Sequence, residues 1–312
     1  MRSVDFKFYP LRFAFQAKQS LFFPPGKASN ILRGALGLIF RSIACVPECR
    51  RHGEARTCEI RHTCPYAKIF APVADGVGPS GLGDPPRPFV FRASHLDGHT
   101  IQPGQLFHFD LNVFSLEPDT LAYFVLTFAA LAREGLGPHR GRAELQTVTR
   151  LLPNQVIYSS AGMMMAGQVE PVTLSLEPLA AAPGQIGIAF LTPTELKHEQ
   201  KIAARPEFSI LFGRVRDRIS TLRALYGSGP VEMDYQASGA RAALVKMTAC
   251  RLRMQESDRR SSRTGQVHSI GGFTGTADYE GDLAEFIPWL AAARYTGVGR
   301  QAVWGKGEIA VR

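Results

Sequence analysis

The stretch VDFKFYPLRFAFQ (residues 4–16), followed after a Pro-Gly loop by SNILRGALGLIFRSI (29–43), decides the fold. In the first segment Phe6, Phe8, Leu11, Phe13 and Phe15 supply the apolar positions of a strand. Pro10 cannot donate to a ladder and is expected at a bulge or an edge. In the second, Ile31, Leu32, Ala35, Leu36, Ile39, Phe40 and Ile43 recur at helical spacing, with Ser29 expected as the N-cap. Gly34 and Gly37 are expected to bring that helix close to a sheet.

Further strands are expected at Phe89–Arg92 and Leu106–Phe114. Pro118-Asp119 then opens a helix with Leu121, Phe124, Val125, Phe128 and Leu131 on one face, ending at the glycines of GLG (135–137). Strand resumes from Ala143 to Thr149, which completes a βαββαβ order. The order begins again after a segment at 161–185 rich in Ala, Pro, Gly and Met. IGIAFLTP (186–193) reads as strand, and Phe208, Leu211, Phe212, Val215, Ile219, Leu222 and Leu225 define a long helix. ACRLRMQ (249–255) alternates strictly, with Cys250 expected in the core, and pairs with a strand at 266–273. Asp282 and Glu285 have capping-box spacing for a last helix, and Val303–Val311 is the closing strand. The fold class is α+β: two tandem ferredoxin-like domains, over 1–175 with a Cys-rich insertion at 45–75, and over 186–312.

Lys and Arg number 36 against 27 Asp and Glu, giving a formal charge of +9. That excess suits a polyanionic partner, because cationic side chains release counterions condensed on nucleic acid. No run of 18 apolar residues is present, so no membrane partner is expected. The early alternation is a strand pattern and not a signal peptide, and with five cysteines it points to a reducing cytoplasm. Cys45, Cys49, Cys58 and Cys64 place four thiols within twenty residues, the number that closes a tetrahedral shell around a structural zinc. His52 and His62 are alternative ligands, and free thiols packing an insertion are the competing reading.

GVGRQAVWGKG (297–307) combines Gly297, Gly299, Gly305 and Gly307 with Arg300 and Lys306. Glycines let backbone N–H groups approach an oxyanion, and the two cations suit phosphates. Arg251, Arg253, Arg259, Arg260 and Arg263 surround one hairpin, opposed by Glu256 and Asp258, a pattern suited to gripping an RNA stem. The competing reading is a solvated loop. Phe107, Phe109 and Phe114 are read as core and not as base-stacking groups.

The glycine-rich stretch resembles the characteristic loop of the repeat-associated RNA-binding (RAMP) superfamily of CRISPR systems, with a departure at Lys306. LRGALG (32–37), EGLG (134–137) with Arg140 and Arg142, IGGFTG (270–275) and CPYA (64–67) resemble its precursor-RNA processing branch. The resemblance implies tandem ferredoxin-like domains and metal-independent cleavage within CRISPR repeats. It also implies 5′-OH and 2′,3′-cyclic phosphate ends, and retention of the crRNA. Other CRISPR effector subunits are possible partners, and no cofactor is implied for the cleavage itself.

Such chemistry needs a group to activate the 2′-OH, an acid for the leaving oxygen and cations for the phosphorane. Many relatives carry a histidine near the first helix, whereas 17–44 contains none. Lys27, Ser29 and Arg33 are therefore the expected catalytic groups, with Arg41 and Tyr9 as further polar candidates. His52, His62, His139 and His268 are possible substitutes, and His268 is also expected to contact RNA. An inactive crRNA-repeat-binding subunit is the alternative; a zinc-stabilised structural subunit without repeat specificity is a more remote one.

Overall fold

The computed structural model describes residues 4–46, 58–73, 84–164, 169–199, 201–256, 258–260, 267–269 and 271–312. The chain divides into two compact units, one of Lys7–Val172 and one of Met1–Phe6 with Thr173–Arg312.

The first unit contains most of β1 (Asp5–Ala17), α1 (Ala28–Ala44), α2 (Pro65–Phe70), β2 (Phe89–Arg92), β3 (Leu106–Val113), α3 (Thr120–Glu134), β4 (Ala143–Leu151) and β5 (Asn154–Ser159). Its antiparallel sheet runs β2-β3-β1-β4-β5. The first strand of the βαββαβ unit therefore lies centrally, between the third and the fourth, as in a ferredoxin-like fold. Pro10 pairs with Asn112 of β3 but lies outside the β4 ladder, which spans Leu11–Ala17. The missing N–H thus costs no bond on that side, and the bulge falls at Ala14/Phe15 instead.

Alternation on β1 and β3 sends Phe13, Phe15, Phe107 and Phe109 to the helix side, where all four are buried. Phe128 of α3 meets Phe13 at 4.6 Å and Phe109 at 4.9 Å between ring centroids. Phe114 is likewise buried, which confirms the three expected core phenylalanines. Burying each such ring contributes about 1.5–3 kcal/mol.

Two expectations for α1 are corrected. Ser29 lies inside the helix; Lys27 occupies the N-cap without a side-chain cap bond, and Asp97 Oδ1 accepts the Ala28 N–H at 2.8 Å. Gly37 faces the ring of Phe70 on α2 and not the sheet, while a Cβ on Gly34 would meet nothing within 4 Å.

The second unit contains β6 (Gln185–Thr194), α4 (Phe208–Tyr226), α5 (Tyr235–Leu244), β7 (Lys246–Gln255), β8 (Gly272–Glu280), α6 (Ile287–Thr296) and β9 (Ile309–Val311). Its sheet order, β7-β8-β6-β9, repeats that of the first unit. Phe208, Phe212, Phe286 and Trp289 pack edge to face beneath it. The last helix starts at Ile287, five residues past Asp282, so the expected capping box does not form. Glu285 is instead held by Arg241 of α5. The closing strand shrinks to Ile309–Val311, because Ala302–Trp304 is a 3-10 turn. Cys250 is half-buried, not in the core as expected, and Met254 is exposed; no residue of β7 is fully buried.

Candidate nucleic-acid interface

In the first unit, Lys27, Ser29 and Arg33 all belong to the start of α1 and are partly exposed. A helix N-terminus attracts anions through its unpaired N–H groups and its dipole. Here Asp97 already takes the Ala28 amide, placing a carboxylate where a phosphate would gain most. Tyr9 is buried, and desolvation followed by the charge of Glu170 raises its hydroxyl pKa, with Arg150 opposing. It is therefore a poor base. His62 and His139 are exposed, and His52 lies outside the described residues.

Arg140 and Arg142 are exposed on the turn that follows α3. The turn is fixed by backbone bonds: Arg142 O accepts from the N–H groups of Lys18 and Gln19, and Leu136 donates to Gly141 O. The backbone of the turn thus lies against residues 18 and 19, in the segment between β1 and α1.

In the second unit the glycine-rich loop is built for a different reason from the one expected. A Cβ on Gly307 would lie 1.9 Å from Val298 O, and one on Gly299 2.2 Å from Glu195 O, both with φ near +70°. The glycines let the loop's own backbone close on β6, and its amides bond inward. Val298 N–H donates to Gly307 O, Arg300 N–H to Glu195 O, and Gly307 N–H to Pro193 O. Lys306 is buried, so its ammonium is not a surface cation. Arg300 is exposed and ion-paired with Glu195. Gly297 and Gly305 are buried at the ends of the loop.

Arg251 and Arg253 are exposed on β7. The hairpin continues through Asp258–Arg260 and Val267–Ser269, which pair antiparallel, so Arg259 and His268 oppose each other in register. Arg263 lies outside the described residues.

Cys45 and Cys64 are buried together, with Ala67 and Tyr66 packed against them. Burial pushes the Cys45 thiol up; the charge of Cys64 and a hydrogen bond to it push further, Arg41 opposes, and Cys58 adds a small increase. Three of the four thiols therefore influence one another, while Cys49 lies outside the described residues. Among the described residues no group of three or more His, Cys, Asp or Glu side chains forms a ready metal shell.

The expected set thus falls into an α1 group with the Arg140/Arg142 turn in one unit, and a glycine loop with a basic hairpin in the other. Sequence reading passed over a further polar group in the first unit, Arg12, Asp110, His108 and His95. Its only signal was the off-beat position of these residues between the phenylalanines of β1 and β3. Among the described residues no helix is long and apolar enough to cross a membrane.

An N-terminal-domain family model matches residues 6–172, and the model of the CRISPR-associated endoribonuclease Cas6 matches 188–309. No curated protein matches the chain. Among solved structures, a Cas6 product complex aligns over 98% of this chain and 100% of its own, at 16% identity and a TM-score of 0.55. A Thermus thermophilus Cas6 aligns over 99% and 100%, at 14% identity and 0.53. A partial Cas6-RT-Cas1–Cas2 complex aligns over all of this chain and 47% of its own, at 11% identity and 0.56. At these identities the structures speak for the fold. The Cas6 model over 188–309 speaks for descent: the chain belongs to the Cas6-type family of CRISPR repeat-processing endoribonucleases.

Proposed function

We propose that the protein is a metal-independent endoribonuclease that cleaves CRISPR precursor RNA within its repeats, in the cytoplasm, and retains the crRNA. The observation that carries this is the match of residues 188–309 to the model of the CRISPR-associated endoribonuclease Cas6. In this reading the 2′-OH attacks the adjacent phosphate, leaving 5′-OH and 2′,3′-cyclic phosphate ends. Lys27 and Arg33 stabilise the phosphorane, and Ser29 orients the attacking hydroxyl. Arginine is not a ready base, because its pKa exceeds 12. Arg140, Arg142, Arg251, Arg253, Arg259, Arg260, Arg263, His268 and Arg300 hold the RNA. Gly297, Gly299, Gly305 and Gly307, with Lys306, shape the loop that carries Arg300. The Cas6 relatives include a product complex and an assembly with Cas1 and Cas2, which supports repeat RNA and other CRISPR subunits as partners.

The test is incubation of purified protein with end-labelled repeat RNA in EDTA. One cut with the stated ends is expected, slowed at least tenfold by Arg33→Ala. The lack of a histidine at 17–44 favours a second reading, an inactive repeat-binding subunit. Tight, repeat-specific retention of intact RNA would establish that reading in place of the first.

The cysteines are read as a structural zinc site. Four thiolates from Cys45, Cys49, Cys58 and Cys64 would close the shell and tie the end of α1 to α2, with no role in the cleavage. One zinc per chain is expected from elemental analysis, falling below half in Cys58→Ser and unchanged in Cys250→Ser. No zinc in the wild-type protein would leave packed free thiols.

A further inference from the structure

The start of α1 gathers Lys27, Ser29 and Arg33, an amine, a hydroxyl and a guanidinium. None is an imidazole, the side chain that takes and returns a proton near neutral pH. A segment sixty-nine residues further along the chain is bonded to this one and carries such a group. Leu21 and Phe22, between β1 and α1, pair antiparallel with Ile101 and Thr100. Beyond that short ladder Phe23 faces two residues: its N–H donates to His99 O at 3.0 Å, and its carbonyl accepts the Gly98 N–H at 2.7 Å. Two residues opposite one make a β-bulge, which re-aims a side chain. The bulge closes a tight turn. His99 N–H donates back to Leu96 O at 3.1 Å, with Asp97 extended and Gly98 at φ +77°. This is a type II turn, whose third residue takes the left-handed φ that favours glycine.

Asp97 makes two bonds from this turn. Its Oδ1 accepts the Ala28 N–H at 2.8 Å, and its carbonyl oxygen meets His99 Nδ1 at 3.0 Å. Two hydrogen bonds through one residue thus join the imidazole to the first residue of α1. A carbonyl oxygen only accepts, so Nδ1 carries the proton of the neutral ring and Nε2 keeps the lone pair. His99 is exposed, and among the described residues Nε2 has no partner. His95, on the same loop, has its Nε2 on His108 O instead. We propose that His99 is the general base of the cleavage, supplied to the start of α1 by the loop after β2. The proposal rests on the repeat-cleavage reading and makes good the lack of a histidine at 17–44 from another segment. Nε2 takes the 2′-OH proton as O2′ bonds to phosphorus. The P–O5′ bond breaks, the departing oxygen takes a proton from water, and the imidazolium returns its own to solvent.

The test is single-turnover cleavage of end-labelled repeat RNA in EDTA at saturating protein, with RNA affinity measured in parallel. His99→Gln keeps a polar side chain of similar size without the proton transfer. It is expected to slow cleavage about a hundredfold or more and to leave affinity unchanged. His99→Ala is expected to lose as much, and added imidazole to restore part of its rate, more so as rising pH leaves more imidazole unprotonated. A merely structural role would give no such rescue. Three results would overturn the assignment and leave the repeat-cleavage reading standing: a wild-type rate in His99→Gln, a loss matched by lost affinity, or a loss that imidazole does not relieve. Wild-type protein that binds repeat RNA without cutting it would remove the cleavage reading, and the assignment with it.

Discussion

The two ferredoxin-like units share one strand order and close their fourth strand in opposite ways. In the first, β4 is nine residues long and runs beside β1 from Leu11 to Ala17. In the second, β9 is three residues and pairs only Ile188, Ala189 and Phe190 of β6. The remaining β6 edge is met by the glycine-rich stretch, whose Gly307 and Arg300 amides reach Pro193 O and Glu195 O. One unit satisfies that edge with a ladder, the other with a folded loop. The same edge thus becomes either a flat strand or a surface able to carry an exposed Arg300. Both cores pack aromatic rings, Phe13, Phe109 and Phe128 in the first and Phe208, Phe212, Phe286 and Trp289 in the second.

The sharpest way to break this contrast is to attack each unit where it is particular. Phe128→Ala removes a ring packed against Phe13 and Phe109 and should cost about 3–5 kcal/mol, read as loss of hydrogen-exchange protection over 7–172. Protection lost equally in both units would mean that they unfold as one. Gly307→Ala should cost about 2–3 kcal/mol, from strained φ and the clash with Val298 O, and loosen 297–311 first. A neutral result would show that the loop has room to give.

The smallest effect is one of acidity. Arg241 holds Glu285 below the usual carboxylate range through a two-pronged hydrogen bond, partly offset by burial. The folded protein then binds fewer protons than the unfolded chain, so stability rises with pH across that interval. The contribution is fully present above the unfolded glutamate pKa, near 4.3, and is lost as pH falls through the depressed folded value. Glu285→Gln should flatten that acid slope for the second unit and leave the first unchanged, as followed by thermal unfolding between pH 3 and 6.

Much of the fold was legible because the burial period is written in the residues. Phe13 and Phe15 alternate, Leu32, Leu36 and Phe40 recur every four, and each pattern has one physical solution. The caps were not legible. Ser29 and the pair Asp282 and Glu285 have the right chemistry, but Ala28 is capped by Asp97, sixty-nine residues away in sequence, and Glu285 is taken by Arg241. Capping bonds can be satisfied by any nearby carboxylate, and local spacing cannot exclude a distant one.

The candidate site divides along the same line. Composition and motif order pointed to the polyanion and the family, since charge and glycine spacing are properties of the chain itself. Which cations face outward depends on tertiary structure: Lys306 is buried within its loop, whereas Arg300, Arg140 and Arg142 are exposed. The stack of His95 on His108 depends on it too, because the two rings meet only when the turn after β2 folds over β3. By itself the sequence determined the periods, the charge and the two-fold repetition of βαββαβ. The tertiary structure decided which polar groups meet, because a hydrogen bond or ring stack acts over a few ångströms and is indifferent to distance along the chain.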